Sequence, residues 1–286
     1  HRDLHSFPTR RSSDLDFSGA ITAGDATDVL AKAGTGVLTL SGTQGAGTCL
    51  AAIQVNAGRL MLTGSFPDSP LTVGSSSILG GTGTCGPLTI ASTGSLRADL
   101  TTPAASSASH LTVLGDVSLD GFVQIIDAGG LSAGTYVLAS WTGTVAADNG
   151  MVVSVMPSGF GARLETDTAN KQLLLHVGTT RYWVGATTDW NDPANWANSS
   201  GGAGGAGVPD ATTPVVFDAG SAVSTSLPAN TTLFSLDASA YTGTLGDGGF
   251  RLTVSGNVSL PSAGTYTATG TLEMLASANL TTQAHA

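Results

Sequence analysis

Between Ile53 and Leu100 three strand–turn–strand units follow one another at nearly constant spacing. Ile53, Leu71 and Leu88 open them, 18 and then 17 residues apart. The first reads Ile53-Gln54-Val55, a turn at Asn56-Ala57-Gly58, then Leu60-Met61-Leu62. The second is Leu71-Thr72-Val73 followed by Ile78-Leu79-Gly80-Gly81. The third is Leu88-Thr89-Ile90, a Ser92-Thr93-Gly94 turn, and Leu96 to Leu100. Apolar and polar residues alternate within each run, the period of a strand with one buried face. Short strands recurring at fixed spacing predict a solenoid.

The energetics require several such units. Ordering about 18 residues costs about 1–2 kcal/mol per residue in backbone entropy. Four to six aliphatic side chains return only about 1.5–3 kcal/mol each on full burial. Stacked units cover each other's apolar faces and strand edges, so an array folds where a single unit does not. At this pitch residues 16–178 would make roughly eight rungs, about 40 Å at the spacing of paired strands.

The first fifteen residues stand apart. His1 to Leu15 resembles the in-frame translation of a common short-read sequencing adapter, and composition changes abruptly after it. The segment is set aside as non-native, of metagenomic-fragment type. The sequence does not begin with Met, so it reads as a piece of a longer frame. The remainder carries seven basic and eighteen acidic residues, a net charge of −11. That balance argues against nucleic acid, which needs clustered Lys and Arg. No apolar run approaches the ~20 residues of a membrane-spanning helix. Forty-one per cent apolar residues in period-2 runs separate the chain from disorder despite its 39 glycines.

Taken in order, Asp16 to Ala33 reads as an incomplete rung and Gly36 to Gly42 as the first clear strand. The Pro/Ala/Ser stretch Thr101–Ser109 reads as a loop. Leu111 to Leu119 and Phe122 to Ile126 resume the pattern. Tyr136 to Trp141, Met151 to Met156 and Leu173 to Val177 close it. The boundaries predicted are a repeat domain over 16–178 and a second β-rich module, truncated, over 179–286. Leu252 to Leu260 matches Leu111 to Leu119 at seven of nine positions, and Ser262-Ala263-Gly264-Thr265-Tyr266 repeats Ser132 to Tyr136 without a change. The two matches argue for internal duplication. Gly201 to Gly207 reads as a loop.

Gly36 to Gly42, the turn Val55 to Leu60, and Ile78 to Thr84 resemble the autotransporter-associated β-strand repeat. The resemblance covers Gly34 to Gly115 well and extends more loosely to Gly178. Trp183 to Asp218 looks like a module that follows such repeats in very large bacterial surface proteins. It implies an all-β fold, a right-handed parallel β-helix, exported to the bacterial surface or secreted. It implies an adhesin-like scaffold, extracellular or on the outer-membrane surface. It brings no catalytic residues and no cofactor. Its partners would be a host or matrix glycan or protein and flanking repeats of the same polypeptide.

Several motifs look chemical. Gly81-Thr82-Gly83-Thr84-Cys85-Gly86 fits a dinucleotide fingerprint, but the residues after it read as strand where a helix N-terminus is required. Gly130 to Gly134 fits the nucleophile elbow with the same defect. Asp189, Asn191 and Asp192 offer oxygens for calcium, although Asp and Asn before Pro193 ordinarily mark a turn. His110, His176 and His285 lack zinc spacing. Thr39, Thr72, Thr89, Thr112 and Thr253 suggest an outward column.

Three functions follow: a structural surface scaffold without catalysis, a carbohydrate-binding module using Trp183, Trp190 and Trp196, and a β-helix polysaccharide lyase. The lyase needs clustered charges, and Lys32, Arg59, Arg97, Arg163 and Lys171 are scattered. The tryptophans serve either as an exposed sugar platform or as the core of a second module poor in aliphatics. The cysteines test the pitch. With rungs of 17–18 residues Cys49 and Cys85 sit two strand spacings apart, about 9–10 Å, too far for a disulfide. With rungs of about 36 residues they become neighbours.

Overall fold

The computed structural model describes residues 14–22, 27–44, 51–275 and 279–282. The fold is almost all β, and nearly all of its strand pairs are parallel. The chain forms two compact units. One holds the residues up to Leu131 with Thr135–Pro157 and Leu164–Leu175; the other holds Ser132–Gly134, Ser158–Arg163 and the residues from His176 onward.

Three sheets organise the first unit. One orders Leu15–Phe17, Val37–Leu40, Arg59–Leu62, Ile78–Gly80, Ser95–Leu100, Phe122–Asp127 and Val152–Val155. A second orders Val29–Lys32, Ala52–Val55, Leu71–Val73, Leu88–Ile90, Val117–Leu119 and Val145–Asp148. A third begins Ser65–Phe66, Thr84–Cys85, Leu111–Val113 and Gly134–Trp141. From Ala52 onward the chain visits them in one cyclic order, so sequence neighbours lie in different sheets and sheet neighbours lie one cycle apart.

Registers show that cycle directly. Ile53 pairs with Leu71 and Leu71 with Leu88, at the 17–18-residue spacing. A 36-residue pitch is thereby excluded for this stretch. Because strand period and register agree, inward residues stack into columns. Leu38, Leu60, Leu79, Leu96 and Val123 form one such column, and all five are buried. Phe66, Cys85, Val113 and Trp141 form another. Burial pushes the Cys85 thiol up to about 12; this cysteine is free. Cys49 lies outside the described residues.

The even pitch ends near Leu100. Leu88 pairs with Val117, Thr84 with Thr112 and Phe122 with Val152, spacings of 28–30 residues. Roughly eight equal rungs were expected, whereas the longest sheet has seven strands. Part of the added length is a helix at Pro103–Ala108, inside the stretch expected to be loop. Its local signals are clear: Thr102 caps it by accepting from the Ala105 amide, Pro103 occupies the first turn, and alanines follow. At six residues it is the one α-helix among those described. Two strands were not expected, Val145–Asp148 and Phe160–Asp167. Both mix polar and small residues, which dilutes the alternation.

The start of the chain also departs from expectation. Val29–Lys32 is a full strand whose Lys32 is 7% exposed. The Lys32 ammonium donates to the carbonyls of Ala33, Gly34 and Ala57, at 3.1, 2.7 and 3.0 Å, tying two successive corners together. Asp14 and Leu15, set aside with the foreign segment, join the sheet through the Val37 amide and the backbone of Leu38. Backbone pairing is tolerant of side-chain identity, so such a segment can dock. Residues 1–13 lie outside the described residues.

In the second unit, a six-stranded sheet orders Trp196–Ala197, Arg181–Trp183, Pro214–Val216, Ser235–Asp237, Val258–Ser259 and Leu280–Thr281. Two three-stranded sheets hold Thr225–Ser226, Thr244–Gly246, Thr265–Thr267 and Thr231–Leu233, Arg251–Val254, Thr271–Met274. Parallel partners here are 20–22 residues apart. One pair is antiparallel: Trp183 faces Trp196 across it.

The two duplicated segments behave differently. Leu111 to Leu119 and Leu252 to Leu260 both form a strand, a corner and a strand in the next sheet. The Ser-Ala-Gly-Thr-Tyr copies differ in setting. Tyr136 follows an intervening strand, Phe122–Asp127, whereas Tyr266 comes directly after Val258–Ser259. Only the first match is therefore a structural equivalence. The threonine column also dissolves: Thr72 and Thr89 pair, but Thr39 and Thr112 belong to the other two sheets and Thr253 to the second unit.

Candidate functional site

The tryptophans form the core of the second unit. Trp183, Trp190 and Trp196 are 1%, 3% and 0% exposed. Trp196 meets Trp183 edge to face at 5.0 Å between ring centroids and Trp190 at 4.8 Å. Phe217 contacts all three and also Tyr241. Both indole donors with recorded bonds stay inside: Trp183 Nε1 donates to the Val223 carbonyl and Trp196 Nε1 to that of Trp190, each at 2.8 Å. A sugar platform needs exposed ring faces. These rings present none, so the proposed ligand-binding set Trp183, Trp190 and Trp196 is a packing cluster.

Between Trp190 and Trp196 the chain turns as Asn191-Asp192-Pro193 suggests. Asp189 Oδ1 accepts from the Asn191 amide, and Asp192 Oδ1 caps the short 3₁₀ turn Pro193–Asn195 through the Ala194 amide. Both carboxylates, considered above as calcium ligands, cap backbone. Asn195 is fully buried and satisfied by Thr187 and the Asp189 carbonyl.

The same use of aspartate recurs across both units. Asp127, Asp148, Asp167, Asp189, Asp192, Asp210, Asp218, Asp237 and Asp247 each accept from the amide two residues ahead. These are Asx turns, which close corners where a strand leaves its sheet. Asp247, 1% exposed, goes further. Burial would raise its pKa, but amides of Gly249, Gly270 and Thr269 and the Thr269 hydroxyl outweigh that and hold it at about 2.

The dinucleotide-like glycines have a steric role. Gly81 sits at φ +105°, and a Cβ there would come within 2.1 Å of the Leu62 carbonyl oxygen. The backbone of one corner lies directly on the next. Thr84–Cys85 and then Leu88–Ile90 follow as strands, so no helix N-terminus forms.

One depression with polar side chains was not singled out from sequence. It encloses about 230 Å³ on the first unit, between the strand Ser95–Leu100 and the residues of and after the short helix. Arg97, Asp99, Ser109 and His110 line it with Met61 and Val137. Arg97 binds Asp99 through Nε at 3.0 Å and Nη2 at 2.6 Å. His110 bridges the Ser107 carbonyl and the Ser140 hydroxyl, each at 2.9 Å. The i, i+2 pair Arg97 and Asp99 was the available signal; His110 arrives from another strand and leaves none. Of the other scattered cations, Lys32 is spent on carbonyls and Lys171 on the Thr142 carbonyl. Among the described residues no three or more His, Cys, Asp or Glu side chains gather as a metal site, and no helix is long and apolar enough to cross a membrane. His285 lies outside the described residues. Comparison with protein-family models, with curated proteins and with solved structures returns no match.

Proposed function

We propose that this chain is a structural repeat region of a large bacterial cell-surface or secreted protein, an adhesin-like scaffold without catalysis. We read its parallel sheets, visited in cyclic order, as a right-handed parallel β-helix of the autotransporter-associated repeat type. The second unit then repeats that plan at a longer pitch. Parallel crossover connections are right-handed in the great majority of proteins, which supports the hand.

The observation that carries the reading is how the acidic residues are spent. Nine aspartates cap turns by the same short bond. An acidic chain whose carboxylates hold corners is built to propagate a stack. The aromatic residues serve the core in the same way. Immunogold labelling of cells carrying the intact gene, with antibodies to this chain, should decorate the outer surface. Labelling confined to the cytoplasm would refute the reading. Incubation with a panel of polysaccharides should release neither reducing ends nor unsaturated uronates; release of either would establish catalysis instead.

A further inference from the structure

The depression beside Pro103–Ala108 has no part in the scaffold reading. Register creates its floor: Arg97 pairs with Gly80, which has no side chain. Met61 lies across the gap, its Sδ only 2.7 Å from where a Gly80 Cβ would stand. Arg97 and Asp99 lie two apart on one strand and therefore share its outward face. Their side chains are 21% and 33% exposed, so both can be reached. The bonds between them run from Nε and Nη2, leaving Nη1 outside the pair. His110 has both ring nitrogens engaged and stands as a fixed wall.

The surface thus offers an immobile donor beside an immobile acceptor, with no net charge, next to an apolar thioether. Adjacent hydroxyls match that couple: one accepts from the guanidinium edge and its neighbour donates to the carboxylate. The C–H face of the same molecule would rest on Met61. An anion would meet Asp99 and a cation would meet Arg97. The volume lies below the usual range for drug-sized ligands, which limits the occupant to about one ring. From these features we infer that the depression binds a single neutral sugar ring, independently of the buried tryptophans and of the scaffold reading.

Saturation-transfer NMR and calorimetry on the whole chain test this, with methyl glycosides of neutral hexoses as probes. Glucuronic acid and glucosamine serve as charged counterparts. At least one neutral glycoside should bind saturably in the millimolar range, more tightly than either charged sugar. Arg97→Gln and Asp99→Asn should each weaken it about tenfold or more, the value of a charge-assisted hydrogen bond. An exposed pair contributes little stability, so both variants should keep the parent circular-dichroism spectrum. Thr72→Val, on another sheet, should bind as the parent does. The inference is overturned by no saturable binding of any neutral glycoside, by tighter binding of a charged sugar, or by unchanged binding in both variants.

Discussion

Replacing Trp196 with alanine tests the aromatic core most directly. The ring is fully buried and touches Trp183, Trp190 and Phe217 edge to face. A tryptophan buries on the order of 200 Å², which at about 25 cal/mol per Å² is worth about 5 kcal/mol. Truncations of this kind in other cores cost about 3–5 kcal/mol, because the site collapses in part. The Trp190 carbonyl also loses the indole donor, adding about 1 kcal/mol. Trp196→Ala should therefore lose about 4–6 kcal/mol. Trp196→Phe keeps part of the edge-to-face packing and loses the hydrogen bond, and should lose less than half as much. Urea unfolding followed by tryptophan fluorescence is the assay. Three of the four tryptophans belong to this cluster, so the signal reports the second unit. A loss under about 1 kcal/mol for the alanine variant would mean the rings are not packed as described, and the sugar-platform reading would return.

Other consequences are sharp. Asp247 is depressed from 3.8 to about 2 in the folded chain, so the stability it contributes is fully present above about pH 4 and disappears as pH falls toward 2. Acid titration of unfolding should show that loss, and Asp247→Asn should start less stable and lack this component. Cys85, buried with its thiol held near 12, should resist iodoacetamide in the native chain and react fully in urea, as read by peptide mass spectrometry. Gly81→Ala forces a side chain onto the Leu62 carbonyl at a positive φ and should cost about 1–3 kcal/mol or more in the first unit's unfolding transition. Thr102→Ala removes the cap of the short helix and should cost about 1 kcal/mol by the same measurement.

Which residues point inward could be read from the sequence, because alternation is a local property. Leu71, Val73, Leu88, Ile90, Leu96, Leu111 and Val113 are all buried, while Asp99 is exposed and Arg59 and Arg97 are half-exposed. The 17–18-residue pitch was legible for the same reason: every unit repeated the same local pattern, and the registers of Ile53, Leu71 and Leu88 follow it. The turn role of Asn191-Asp192-Pro193 could also be read, since an Asx turn is closed by residues two apart. Tertiary structure decided the rest. No local signal says that the cycle lengthens after Leu100, because strands pair across the insertion whatever its length. Whether three tryptophans face water or each other depended on Phe217 and Tyr241 arriving from distant strands. The Arg97–Asp99 depression needed a glycine in the neighbouring strand and a histidine from beyond the helix. Alternation tells each side chain which face it takes, and only the stacking of one cycle on the next tells it what it will meet there.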